Sequence, residues 1–581
     1  MTSGGDHIAA ALQERGVKFL YTLCGGHISP ILSGAKARGI RIIDVRDEKN
    51  AVFAADATAR LTGVPGVAAV TAGPGVTNTL TALKNAQLAQ SPLVLLGGAA
   101  ATMLKGRGAL QDIDQMKVIE PHVKWAVSVR YVHDLGPTVK KALEVAERGV
   151  PGPVFVECPI DLLYDEALVR DWYVASSGSK KSGKKQSLPE AALQWYLGRH
   201  VDRMFEAEGG AQPSLPTELP EAPLGPLVAQ ARRMVEKAER PVLLVGSQAV
   251  WRANEVASVA QAVEQLGIPV YLASMARGLL GPSHRLQLRH KRRNALKGAD
   301  LVILAGVPAD FRLEYGRAIA KKAKVISANL ALGQLFKNKV PSLPVPADPG
   351  RFLMQLAQAV PPQGDRWASW LAELRGNDAK RDAEIAEMAK AEAPPVNPLQ
   401  VCLGIERAMS DDAVIVADGG DFVATAAYVT QARGPLRWLD PGVFGTLGVG
   451  GGFAAAAALC RPGSEVWLLW GDGAAGFSLV ELDTFARHGL PVIAVVGNDA
   501  GWTQIARDQI EILKDDVGTV LARTAYHEVA KGFGAEGLLL DDPSKVDEVL
   551  AQAKAIAAAG RPVLVNAHIG TTEFRKGSIS M

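Results

Sequence analysis

Three times along this chain, short runs rich in Val, Ile, Leu and Ala stop at a small-residue turn and give way to a helical stretch. The first set is "VKFLYTL", "IRIIDV", "VAAVTAG", "PLVLLGG" and "GPVFVEC", and the second is "PVLLVG", "PVYLA", "LVILAG" and "AKVISAN". The third is "AVIVADGG", "EVWLLWGDG", "PVIAVVGND" and "PVLVNAHI". Strands that alternate with helices in this way build parallel sheets. The expected fold class is therefore α/β, with three doubly wound parallel-sheet domains. The expected boundaries are 1–170, 226–365 and 396–581, with a linker at 171–225 and a charged helical connector at 366–395. The linker contains "SSGSKKSGKKQS" and a proline-rich stretch ending "EAPLGP", separated by a short helix at "ALQWYLGRHVDRMF".

A chain of 581 residues is too long for one core, which agrees with several domains. With 48% hydrophobic and 21% charged residues it is ordinary globular material, and a net charge of +3 gives no general case for nucleic acid or membrane binding. Cys24, Cys158, Cys402 and Cys460 lie far apart, with no CxxC and no His at ligand spacing. They read as buried thiols of a reducing compartment. The start enters an amphipathic helix at once, so no signal peptide is expected. The uncharged stretch Pro441 to Cys460 reaches membrane length, but six glycines and a proline make it a poor spanning helix. A soluble, cytoplasmic protein is expected.

Asp472 follows the strand "EVWLLW", and Asn498 stands 26 residues later at the end of "PVIAVVGN". A right-handed βαβ unit places both on the same sheet edge, where their side chains can converge. Carboxylate, amide oxygen and a loop carbonyl near Ala500 form a hard oxygen set suited to Mg²⁺ or Ca²⁺. The turn Gly473-Ala474-Ala475-Gly476 opens a helix whose free N–H groups favour an anion. The aspartate then holds a cation, and the cation a diphosphate.

"GDG" followed by about 26 residues and an Asn-containing turn resembles the thiamine-diphosphate enzyme family, and the resemblance covers almost the whole chain. It implies pyrimidine-binding, central and diphosphate-binding domains in that order, with thiamine diphosphate and Mg²⁺ as cofactors. The family's usual Asn-Asn is Gly497-Asn498 here, keeping the ligating residue. The resemblance carries cofactor contacts onto Gly471, Asp472, Gly473, Ala474, Asn498, Ala500, Gly501 and Trp502, with Asp472, Asn498 and Ala500 around the metal. In "DVRDEKNAVF" it makes Glu48 the carboxyl that donates to the aminopyrimidine N1′ and so favours loss of the C2 proton. "TAGPGVTNT" resembles the loop over the pyrimidine ring, implicating Thr71, Gly73, Pro74 and Asn78. "DPGVFGTLGVG" resembles the loop that bends the cofactor, with Gly445 accepting from N4′ and Leu447 wedged between the rings. It also implies a homodimer or homotetramer, because the pyrimidine domain of one chain faces the diphosphate domain of another.

"LCGGHISPI" resembles the "GAHI" loop of benzaldehyde lyase, which makes His27 a proton-transfer residue. Gln111 in "GALQDIDQ" matches the family's active-site glutamine. The basic segment from Arg285 to Arg293 resembles oxalyl-CoA decarboxylase and 2-hydroxyacyl-CoA lyases. It suggests Arg292 for a phospho-adenosine group and admits a nucleotide such as ADP in the central domain. Arg433 and Arg437, just before the wedge loop, are expected to meet coenzyme A near the cofactor, and Trp502 to line the substrate channel. "GNDAGWTQIARDQ" and the tail "TTEFRKGSISM" resemble the acetolactate-synthase-like proteins grouped with 2-hydroxyacyl-CoA lyases. The flavin segment of true acetolactate synthases is absent. The resemblance therefore implies a lyase that cleaves a 2-hydroxyacyl-CoA thioester to formyl-CoA and an aldehyde or ketone. The alternatives are an oxalyl-CoA decarboxylase, an acetolactate-synthase-like carboligase, or a non-catalytic cofactor-binding subunit.

Overall fold

The computed structural model describes residues 3–176, 188–206, 215 and 223–576. The chain forms two compact units, one of residues 1–59 and 64–218 and the other of residues 60–63 and 219–581. Among the described residues the strands form three six-stranded sheets, and the strands pair in parallel throughout. The α/β class with three parallel sheets holds.

In the first unit the strands are β1 (Phe19–Thr22), β2 (Arg41–Asp44), β3 (Gly66–Val70), β4 (Leu93–Ala99), β5 (Trp125–Ser128) and β6 (Pro153–Pro159), in the order β2-β1-β3-β4-β6-β5. The chain leaves β1 for a strand on one side and returns to place β3 on the other. That reversal opens a crevice between the loops that follow β1 and β3. The four central strands are almost wholly buried, which is why they read from sequence as unbroken apolar runs. Edge strand β5 alternates buried and half-buried residues and is not among the expected strands.

The second unit holds two sheets. One comprises β7 (Pro241–Val245), β8 (Val270–Leu272), β9 (Gln287–Leu288), β10 (Leu301–Ala305), β11 (Lys324–Ala328) and β12 (Leu343–Val345), in the order β12-β11-β10-β7-β8-β9. The other comprises β13 (Val414–Asp418), β14 (Trp438–Leu439), β15 (Val466–Gly471), β16 (Val492–Asn498), β17 (Glu536–Leu540) and β18 (Val563–His568), in the order β14-β13-β15-β16-β18-β17. Here the order reverses between β13 and β15. The unexpected strands β9, β12, β14 and β17 are again edge or near-edge strands of two to five residues. Such strands carry too few apolar positions for a periodic signal.

Two sequence expectations change. The short helix placed in the linker is longer, Leu188–Glu206, and it is not a free spacer. Leu197, Val201 and Met204 are buried in the core of the first unit with Tyr173, so three apolar side chains one helical turn apart anchor it there. The remaining linker stretches, 177–187, 207–214 and 216–222, lie outside the described residues. The apolar stretch ending at Cys460 becomes the helix Gly450–Cys460, buried over nearly all its length against β15 and β13. No described helix is long and apolar enough to cross a membrane.

Candidate functional site

The crevice of the first sheet collects the expected residues from three loops. His27 follows β1, Thr71 follows β3 and Gln111 lies on the loop after β4. His27 Nδ1 is 3.2 Å from Thr71 Oγ1, and the Thr71 hydroxyl donates to Gln111 Oε1 at 3.4 Å. Partial burial lowers the His27 pKa, so the imidazole is held neutral. Gln111 sits at φ 63°, a left-handed conformation that a non-glycine residue adopts only when its surroundings enforce it. Gln115, which the sequence reading passed over, supports the turn at Gly73. Its Oε1 accepts from Gly73 N–H at 3.3 Å and its Nε2 donates to Gly98 O at 2.8 Å.

Glu48 opens the helix Glu48–Thr62, is 8% exposed, and accepts from Asn78 Nδ2 at 3.0 Å through Oε2. Asn78 ends the short helix Pro74–Thr77, so this bond ties the loop after β3 to the glutamate helix. The structure thus brings Glu48 together with Asn78, and His27 together with Thr71 and Gln111.

In the third sheet the βαβ expectation is met by register. Gly471 of β15 pairs with Gly497 of β16, so Asp472 and Asn498 stand side by side at the carboxyl edge. Asp472 is buried, accepting from Gly473 N–H at 2.8 Å and from Gly501 N–H at 3.1 Å. Burial raises its pKa against the pull of those N–H groups. The Asn498 amide is fixed by donating to Thr524 O and Asn566 Oδ1, both at 3.1 Å, while its buried Oδ1 has no hydrogen-bond partner. An orphaned buried acceptor beside a buried carboxylate costs free energy unless a cation or donor meets it. The Ala500 carbonyl accepts from Leu521 N–H at 2.8 Å and keeps a second lone pair. Among the described residues no cluster of three His, Cys, Asp or Glu forms. The donor set is one carboxylate with neutral oxygens, and it fits a hard divalent cation.

Two supporting features here were not legible in sequence. Trp502, expected both as a cofactor contact and on the substrate channel, packs on the turn itself, because a Cβ on Gly473 would meet its ring carbons at 2.5 Å. Asp418, at the end of β13, is fully buried and accepts from Gly448 N–H at 3.0 Å, Gly450 N–H at 2.8 Å and Trp470 Nε1 at 3.1 Å. Its only sequence signal is an acid closing an apolar strand upstream of a glycine-rich loop. That loop carries Gly445, left-handed at φ 63° and exposed, and half-buried Leu447.

The arginines expected to bind coenzyme A are placed otherwise. Arg433 is nearly buried and spends its guanidinium on the carboxylate and the main-chain carbonyl of Glu406, both at 2.6 Å. Arg437 precedes β14, and its guanidinium donates to Asp412 O and to Ser464 Oγ. Those partners precede β13 and β15, so Arg437 lies at the amino edge, opposite Asp472. By register Arg437 stands level with Val466, six residues before Asp472, and at ~3.3 Å per residue that is ~20 Å.

In the central basic segment Arg277 donates to Ala427 O at 2.8 Å, and Arg289 to Tyr428 O and Val429 O at 2.5 and 3.0 Å. These are the last carbonyls of the helix Asp421–Val429, so two arginines cap a helix C-terminus that has no intrahelical partners left. Arg292 is largely buried and donates to Arg312 O at 2.7 Å. Burial lowers the pKa values of Arg277, Arg289 and Arg292. Together with His290, Arg312 and Tyr428 they line a cleft of about 460 Å³, which Arg285 does not reach.

Three family models match the chain. The model described as thiamine pyrophosphate enzyme, N-terminal TPP binding domain, matches residues 2–118. The central-domain model matches 228–356 and the C-terminal TPP binding domain 418–567. The chain is 49% identical over its whole length to 2-hydroxyacyl-CoA lyase 2 of Bos taurus, covering 92% of that protein. It is 48% identical to the protein of the same name from Danio rerio, covering 93% of it. A probable acetolactate synthase of Mycobacterium bovis is 34% identical over 97% of this chain and 95% of its own length.

Proposed function

Because the chain belongs to the thiamine pyrophosphate enzyme family, we propose that it cleaves 2-hydroxyacyl-CoA thioesters to formyl-CoA and an aldehyde or ketone. The observation that carries this reading is full-length identity near one half to relatives named 2-hydroxyacyl-CoA lyase 2. In the reaction the C1–C2 bond breaks, the 2-hydroxyl loses its proton, and C1 gains one, so R–CHOH–CO–SCoA becomes R–CHO and H–CO–SCoA. Thiamine diphosphate supplies the carbon nucleophile and electron sink that such a cleavage requires.

The protein's own groups are placed for the remaining tasks. Glu48, steadied by Asn78, holds a proton for the aminopyrimidine ring. His27 is neutral, and with Nδ1 engaged by Thr71 its Nε2 is the acceptor for the 2-hydroxyl proton. Gln111 is tied to the same threonine and orients the substrate oxygen. Asp472, the orphaned Asn498 Oδ1 and the Ala500 carbonyl would hold Mg²⁺, and the cation the diphosphate. Leu447 and the Gly445 carbonyl complete the cofactor contacts.

We further infer a homodimer or homotetramer, with Glu48 and Asp472 of one site contributed by different chains. The basic cleft around Arg292 suits a nucleotide such as ADP. The thioester contacts first assigned to Arg433 and Arg437 must come from elsewhere. None of the four cysteines is in a disulfide, which supports a reducing, cytoplasmic setting, but only Cys158 and Cys402 are buried as expected, while Cys460 is half-buried and Cys24 exposed.

Incubation of one 2-hydroxyacyl-CoA with protein, thiamine diphosphate and Mg²⁺ should yield formyl-CoA and the one-carbon-shorter aldehyde by mass spectrometry. The 34% identical probable acetolactate synthase favours a carboligase as the second reading. Rapid acetolactate formation from pyruvate alone, without lyase activity, would establish it instead.

A further inference from the structure

We propose that Asp418 is the positioning residue for the loop from Gly442 to Gly450, holding Gly445 and Leu447 in their working conformation through the N–H groups of Gly448 and Gly450. The inference rests on the cofactor-facing role proposed above for Gly445 and Leu447. Asp418 lies at the carboxyl end of β13, beside the point where the strand order of the third sheet reverses. One carboxylate oxygen takes the Gly448 N–H at 3.0 Å, and the other takes the Gly450 N–H at 2.8 Å. The first of these contacts begins one residue after Leu447. The helix Gly450–Cys460 starts at the second, so the carboxylate fixes the loop where it becomes rigid.

Trp470, on the neighbouring strand β15, donates Nε1 at 3.1 Å to the same carboxylate oxygen that takes the Gly450 N–H. Space is tight enough to dictate sequence. A Cβ on Gly450 would lie 2.3 Å from Trp470 Nε1 and 2.8 Å from Asp418 Oδ2, so only glycine lets the amide reach the acid.

A charge that only stabilised the fold would be a poor choice at this place. The side chain is fully buried with no cation among its hydrogen-bond partners, and burial pushes its pKa up to about 6 in spite of three donors. An ionised acceptor nonetheless bonds two amides more strongly than any neutral side chain of this size. The advantage lies in the geometry of the loop, and the loop is where the proposed function needs accuracy.

The test compares Asp418→Asn with the natural chain. Asn keeps the shape but offers one acceptor oxygen and turns an NH₂ group toward amide donors. Amide hydrogen exchange over 442–452, measured in the cofactor-free protein, should accelerate at least tenfold, with β15 and β16 unchanged. In the loaded enzyme kcat should fall at least tenfold, while KM for the thioester stays within threefold. Unchanged exchange over 442–452 would overturn the proposal. So would exchange accelerated equally throughout the third sheet, or a kcat within twofold of normal. If Asp418→Asn does not fold, Gly450→Ala attacks the same contact from the loop side and is held to the same outcomes. Should the natural chain prove to lack lyase activity, the functional reading fails, while the exchange experiment still decides whether Asp418 holds the loop.

Discussion

The replacement Gly473→Ala tests how the turn after Asp472 is built. An Ala Cβ there would lie 2.5, 2.6 and 2.7 Å from three carbons of the Trp502 ring, whereas carbon atoms rest at ~3.5–4.0 Å. The indole must therefore retreat by about 1 Å. The backbone of Trp502 is not free to move with it, because its main-chain N–H donates to Thr519 O at 2.8 Å and its carbonyl accepts from the N–H groups of Ile505 and Ala506. Overpacking of this kind costs about 1–3 kcal/mol.

Gly476 supplies the control within the same helix, Asp472–Ser478, since nothing lies within 4 Å of its Cβ position. Gly476→Ala should be neutral or stabilise the cofactor-free protein by up to ~1 kcal/mol through helix propensity. Urea unfolding of the two variants, each with and without Trp502→Ala, completes a double-mutant cycle. The expected result is a penalty for Gly473→Ala that disappears once the indole is removed, and no coupling for Gly476→Ala. Equal effects at the two glycines, or a penalty that persists without the ring, would refute this account of the turn.

Glu48→Gln should leave the fold and cofactor binding intact and lower kcat by about 10²-fold or more, measured by formyl-CoA release. Asp472→Ala should abolish the rise in melting temperature given by thiamine diphosphate with Mg²⁺, a stabilisation of ~2.7 kcal/mol when ligand stands at 100 times its Kd. A pH profile tests His27. Its folded pKa lies below the ordinary 6.5, so the folded state resists protonation. Stability from this group is present above 6.5 and is lost as pH falls through the lowered value. The acid limb of kcat/KM should accordingly sit below 6.5 and vanish in His27→Gln.

The order of the three domains, the strands at their centres and the meeting of Asp472 and Asn498 at one sheet edge were legible in the chain because they depend on local pattern. Doubly buried strands read as apolar runs, and one βαβ unit brings two strand ends together at a fixed spacing. Tertiary structure alone decided the rest. Edge strands such as β14 and β9 exist only because a longer neighbour offers hydrogen bonds, so two residues suffice and no periodicity marks them. Arg433 and Arg437 looked suited to a thioester because they precede the wedge loop. Sequence proximity does not show to which edge of a sheet a residue points, and Glu406 and Asp412 claim their guanidinium groups. Asp418 is silent in the sequence for the same reason. Its meaning depends on donors 30 and 32 residues further along, and only the folded sheet brings those amides to it.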